Sequence, residues 1–218
     1  MPWLFGGLLA PLTLGLALLL AAVPAVAEIP TTVRDPYVAP KDKALLVFAR
    51  NPKWEMPAVI YTVVDEASRC LGVLGNGWTV AAPLRPGEQT LRVLTGTMQM
   101  GMQLLQVEVE AGKTYVIRLN PRARGGSEGL RLEVIRRLAG PFPPDILSTT
   151  PFRSLESVPM SPWSDLDECS AWMRKKRGKL DSKTKRAFEE WNAADQGFRD
   201  ARTVRPKDGY PSSEVAGP

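Results

Sequence analysis

Not one of the 218 residues is histidine. Ser-His-Asp and Cys-His catalysis both need an imidazole base, so neither is open to this chain. Most zinc enzymes also use imidazole as a ligand, and that route is closed too. Carboxylates, lysines and tyrosines are present, so enzymes in general are not excluded. Charge is missing as well from the first 27 residues, which carry no Asp, Glu, Lys or Arg. Cysteine is scarce, with only Cys70 and Cys169.

The uncharged start has a pattern of its own. Leu8 to Leu20 is an apolar run broken only by Pro11, Thr13 and Gly15, and Pro24 precedes Ala25-Val26-Ala27. An apolar core followed by a small-x-small tripeptide is the pattern of a secretory signal peptide with its cleavage site. Residues 1–27 are therefore expected to be removed, leaving a periplasmic or secreted chain that begins at Glu28. The alternative is an uncleaved N-terminal anchor, since about 20 apolar residues span a bilayer core. With no cysteine at the cleavage point, lipid attachment is not expected.

All 28 basic and 23 acidic residues lie in the remainder, giving a formal charge of +5. A modest positive charge on an exported chain suits weak adhesion to anionic envelope surfaces. No nucleic-acid motif accompanies it, so nucleic acid is not an expected partner. Cys70 and Cys169 form a natural candidate disulfide in an oxidising compartment. Such a bridge would close a loop of roughly 100 residues and contribute about 4.7 kcal/mol in the chain-entropy treatment. A buried thiol at each position is the alternative.

Residues 28–42, with Pro30, Pro36 and Pro40, read as an extended leader. Residues 43–140 hold short aliphatic and β-branched runs divided by turn residues, the texture of an all-β domain. Strands are expected at 43–50, 58–65, 69–74, 78–84, 88–95, 102–110, 114–120 and 130–136. In the second, apolar residues occupy both faces, as in a central strand. In the fourth, Trp78, Val80, Ala82 and Leu84 share a face. In the fifth, Leu91 and Val93 point inward and Arg92 outward. In the sixth, Leu105, Val107 and Val109 alternate with Gln106, Glu108 and Glu110. Asn76-Gly77 suits a type I′ hairpin turn, and Pro86-Gly87 a type II turn.

Together these predict a mainly β fold, an antiparallel immunoglobulin-like β-sandwich, with a small closed barrel as the competing architecture. Residues 141–162 hold six prolines and read as a semi-stiff Pro-rich linker. Residues 163–208 read as a short helical, basic C-terminal tail. Ser164 is the expected N-cap of a first helix with Leu166, Cys169, Trp172 and Met173 on its apolar stripe. A second helix is expected from Ser182, with Phe188, Trp191, Ala194 and Phe198 on one face. Residues 209–218 read as a disordered end.

The order KALLVFAR at 43–50, Asn76-Gly77 before Trp78, RPGEQTLRV at 85–93 and VEVEAGKTYVIRL at 107–119 resembles an uncharacterised bacterial envelope domain family of unknown function. That family is similar to PEGA-type and carboxypeptidase-regulatory-like β-sandwich modules. The resemblance covers Lys43 to Arg137 and rests on turn positions. It implies fold and an envelope setting, and brings no catalytic residue or cofactor.

Arg174, Lys175, Lys176, Arg177, Lys179, Lys183, Lys185 and Arg186 form the sharpest charge feature. One reading is contact with an anionic surface, aided by Trp172, Phe188 and Trp191 as interfacial aromatics in a weak peripheral membrane association. The other is a solvated helix face whose aromatics dock on the sandwich. Two enzymatic or metal readings stand beside it. Glu108 with Glu110, or Asp65 with Glu66, offer a carboxylate pair for a periplasmic hydrolase. Met98, Met100 and Met102 offer soft sulfur for copper(I). The loop Arg122, Arg124, Gly125, Gly126 matches no phosphate-binding pattern. The expectation is a non-catalytic exported module without cofactor, whose partner is an envelope protein or an anionic envelope surface.

Overall fold

The computed structural model describes residues 37–50, 59–96, 101–121, 130–148, 163 and 165–215. The expected signal peptide, the leader up to residue 36, Met98 and Met100, the loop 122–129, Ser164 and the linker from residue 149 to 162 lie outside them.

Every expected strand forms, within a few residues of its predicted ends: β1 (Ala44–Ala49), β2 (Tyr61–Val64), β3 (Cys70–Leu74), β4 (Thr79–Leu84), β5 (Gly87–Thr95), β6 (Gly101–Val109), β7 (Lys113–Pro121) and β8 (Leu130–Ile135). Two short strands follow late in the chain, β9 (Thr203–Val204) and β10 (Tyr210–Pro211). The strands build two five-stranded sheets. The first runs β10-β7-β1-β4, with β8 beside β7 on the rest of its length; the second runs β3-β2-β5-β6-β9. Most pairings are antiparallel, but β1 with β7 and β6 with β9 are parallel, so both sheets are mixed.

The turn residues act differently from a simple hairpin series. At Asn76-Gly77 only the glycine is left-handed, with φ +77°. The strands it joins do not pair with each other: β3 pairs with β2, and β4 with β1. The expected type I′ hairpin is instead a passage from one sheet to the other. Gly72 shows why β3 and β4 stack rather than pair, because a Cβ placed there would come 2.4 Å from Val80 Cγ1 across the sandwich. Gly87 and Gly112, at φ +111° and +72°, turn the chain between sheets in the same way.

The central core lies between the sheets and includes Leu46, Phe48, Tyr61, Val63, Leu91, Val93, Leu105, Val107, Tyr115, Ile117, Leu119 and Leu132. The predicted inward residues of the fifth and sixth strands, Leu91, Val93, Leu105, Val107 and Val109, all belong to it. Each sheet is also covered on its outer face, by separate apolar clusters. That cover explains the apolar residues on both faces of β2 and the complete burial of β1. In β4, Val80, Ala82 and Leu84 face the core, whereas Trp78 packs against the outer cluster of the second sheet.

The segment after β8 departs from the expected spacer. Pro144 starts a helical turn, α1 (Pro144–Leu147), where its missing N–H costs nothing. Phe142 and Ile146 are buried on the outer face of the first sheet, and Arg118 donates to both oxygens of Asp145 at 2.8 Å. The chain end differs as well. Residues 209–215 are ordered rather than disordered, with Tyr210 paired to Thr114 of β7 and edge-on to Phe142 at 5.2 Å. Arg136 grips the buried carboxylate of Asp208 at 2.8 and 2.9 Å, and Arg137 binds Glu214 at 2.6 Å. Apolar burial and two arginine clamps hold a segment whose short polar texture predicts freedom.

Candidate interaction surface

The outer face of the second sheet is roofed by α2 (Leu166–Lys175) and α3 (Arg177–Ala193), followed by α4 (Gln196–Asp200). Asp165, not Ser164, caps α2, accepting from the Glu168 amide at 2.6 Å. The next helix begins at Arg177, five residues before the expected Ser182, and runs through Gly178. Helix propensity falls at glycine, but the docking of Leu180 and Ala187 carries the helix through it.

The roof is fixed by a covalent bond and by apolar packing. Cys70 of β3 and Cys169 of α2 form a disulfide, with Cα atoms 6.0 Å apart. Beside it the Cys70 amide donates to Ser170 Oγ at 2.9 Å. Cys169, Met173, Leu180 and Ala187 face Ile60, Val64, Val73, Leu94 and Leu104 of the sheet. Trp172 meets Trp163 edge-on at 5.5 Å, and both Trp172 and Trp191 pack against the same cluster. These two tryptophans are half-buried and pack on the sandwich side. Phe188 alone of the three is exposed, at 37 %.

With the apolar stripe facing the sheet, the basic residues are left on the solvent side. Arg174, Lys175, Lys176, Arg177, Lys179, Lys185 and Arg186 are exposed and Lys183 is half-buried. Among the described residues their one ion pair is Arg177 with Asp181, at 3.8 Å. Arg174 and Lys175 also complement the negative end of α2. The structure thus brings all eight onto one helical layer, which also carries the exposed carboxylates of Asp167, Glu168, Asp181, Glu189 and Glu190.

Arg92 points outward as alternation predicts, but it is not solvent-exposed: it lies beneath α3, only 5 % exposed. Its guanidinium donates to the carbonyls of Asp65 and Glu66, to Ser68 Oγ at 3.2 Å and to Thr184 Oγ1 at 3.3 Å. Burial lowers its pKa, opposed by the nearby charges of Asp65, Asp181 and Glu66. Arg92 thereby locks the β2–β3 turn, where Ser68 takes a left-handed φ of +63°.

Three of the four carboxylates considered for acid–base work, Asp65, Glu66 and Glu110, are engaged in local structure. Asp65 binds the Arg69 side chain at 2.6 Å and its amide at 2.8 Å. Glu66 accepts from the Thr90 amide at 2.8 Å, Glu110 pairs with Lys113 at 2.6 Å, and Glu108 is exposed. Among the described residues no three His, Cys, Asp or Glu side chains converge as metal ligands would. Of the methionines proposed for copper, Met102 is buried in the outer cluster, its sulfur 3.6 Å from Thr184 Oγ1. Met98 and Met100 lie outside the described residues.

One feature escaped the sequence. A groove of about 870 Å³ runs along the side of the sandwich, between the starts of β6 and β8 and the α3–α4 segment. At its inner end Gln103 donates to the Leu130 carbonyl at 2.6 Å and accepts from Arg202 Nε at 3.2 Å. A buried glutamine at an inward position of β6 was the only local signal. Among the described residues no helix is long and apolar enough to cross a membrane. Compared with known proteins, the chain matches no family model and no curated sequence.

Proposed function

We propose that the chain is an exported, non-catalytic envelope module that holds a cationic helical face against an anionic envelope surface. The observation that carries this reading is the roof of α2 and α3. Seven of its eight basic residues are exposed and Lys183 is half-buried, with Arg177–Asp181 their one ion pair among the described residues, and the roof is stapled to a β-sandwich by a disulfide. A rigid platform keeps the charges together, and each basic side chain near an anionic membrane adds about 1 kcal/mol. Because Trp172 and Trp191 pack inward, the contact is electrostatic and peripheral, without helix insertion. The signal-peptide pattern and a disulfide both support an oxidising compartment outside the cytoplasm. The likeness to PEGA-type modules fits a binding role. The hydrolase and copper alternatives draw no support from four carboxylates of which three are engaged in local structure, or from a methionine packed under a helix.

The test is sedimentation of the chain from Glu28 with vesicles of mixed phosphatidylglycerol and phosphatidylcholine, and with phosphatidylcholine alone. Binding is expected only with the anionic lipid, falling at least tenfold when salt rises to about 0.5 M, where screening is nearly complete. Substituting Lys175, Lys176, Lys179 and Lys185 together by glutamate is expected to abolish it. Equal binding to neutral vesicles, or unchanged binding by the substituted protein, would overturn the proposal.

A further inference from the structure

We infer, resting on the anionic-surface reading, that the contact runs along one side of the roof. Lys176, Lys179, Lys183 and Arg186 form a row that meets lipid phosphates, and the opposite side of α3 is turned away.

The eight basic residues are not equivalent. Positions three and four apart are neighbours on a helix surface. Lys176 stands at the junction of α2 and α3, and its carbonyl accepts from the Leu180 amide at 3.0 Å, so it already follows the turn of α3. From there Lys176, Lys179, Lys183 and Arg186 succeed one another at steps of three, four and three residues. The row is about 15 Å long at 1.5 Å per residue. None of Lys176, Lys179 and Lys183 has a carboxylate three or four positions away; Glu190 closes the row beyond Arg186. Arg177, Asp181, Lys185 and Glu189 make a second row, at steps of four and with alternating sign. Its first pair is formed, Arg177 to Asp181 at 3.8 Å. One row is a run of cations, and the other largely cancels itself.

The packing of α3 places the two rows. Leu180 and Ala187 are buried against the second sheet, and Lys183, a helical neighbour of both, is half-buried at the margin of that contact. On the other side of α3, Asp181 lines a hollow together with the exposed Glu66 of the β2–β3 turn. Asp181 and Glu66, with Glu189 in the same row as Asp181, repel an anionic surface. The row of four does the reverse. Adjacent like charges destabilise a helix in the free protein, and phosphates laid along the row relieve that repulsion on contact. Charge complementarity therefore orients the module, with the row of four against the headgroups and the Glu66 side away from them.

The experiment is acetylation of the chain from Glu28 by a small activated ester, free and bound to phosphatidylglycerol–phosphatidylcholine vesicles. Mass spectrometry reads the rate at each lysine. Binding is expected to slow Lys176, Lys179 and Lys183 at least fivefold and to leave Lys185 within twofold of its free rate. Two charge-matched double variants give a second measurement. Lys176→Gln with Lys179→Gln is expected to weaken vesicle binding at least tenfold, and Arg177→Gln with Lys185→Gln less than threefold. All four positions are exposed, and circular dichroism checks the fold. Protection of Lys185 equal to that of the row, or equal losses from the two double variants, overturns this inference and leaves the surface reading standing. A wild-type chain that ignores anionic vesicles overturns both.

Discussion

At Gly209 the backbone is pressed against the ring of Tyr115, and a Cβ there would come 2.6 Å from two ring carbons. The φ at this position is −82°, which any residue adopts, so the constraint is packing alone. Gly209→Ala is expected to destabilise by about 1–3 kcal/mol, the range for overpacking a rigid site, as measured by denaturant unfolding. A change below the error of that measurement would mean that the C-terminal segment lifts off easily. Arg92 teaches the complementary lesson. Period two correctly turned it away from the core, but the helix that buries it comes from some ninety residues later, and alternation carries no information about such a cover.

Among the elements, the helical roof depends on both the disulfide and the apolar stripe beneath it. Replacing Cys70 and Cys169 together by serine is expected to cost about 2–5 kcal/mol, because the lost constraint closes a loop of 99 residues. Amide exchange in α2 and α3 should accelerate more than in β5 or β7, as the stripe alone then holds the roof. Uniform acceleration across the sheets would show instead that roof and sandwich unfold as one unit. The strands were legible because each carries its own alternation and ends at its own turn. Their sheet membership was not, since Asn76-Gly77 looks the same whether it closes a hairpin or passes between sheets. The two-residue strands β9 and β10 have no periodicity to read; pairing with β6 and β7 creates them.

For the molecule as a whole, burial raises the pKa of Tyr61, Tyr115 and Tyr210 above the ordinary value of 10.0. A raised folded-state pKa gives stability that is complete below the unfolded value and is lost as pH rises through the folded one. The denaturation midpoint should therefore be flat through neutrality and fall progressively above about pH 10. Tyr61→Phe should weaken that fall, since the Tyr61 hydroxyl has no hydrogen-bond partner among the described residues. A midpoint unchanged up to about pH 11.5 would contradict the burial of these rings. On the acid side, the Arg137 hydrogen bond lowers the pKa of Glu214, and the Arg205 hydrogen bond that of Asp200. Their contribution is present above the ordinary carboxylate range and lost as pH falls through the lowered values; both groups are exposed, so the effect is small.

The sequence by itself determined the eight long strands, their inward residues and the basic helical segment, because each is written in a local period or a local turn. It named the two cysteines as candidates but could not bring them together. Only the tertiary structure decided that Cys70 meets Cys169, that Arg92 is roofed over, and that the last residues close onto the first sheet. It alone decided that the starts of β6 and β8 border a groove. Each of these depends on where distant segments meet in space, and local alternation stays the same whichever segment arrives to cover it.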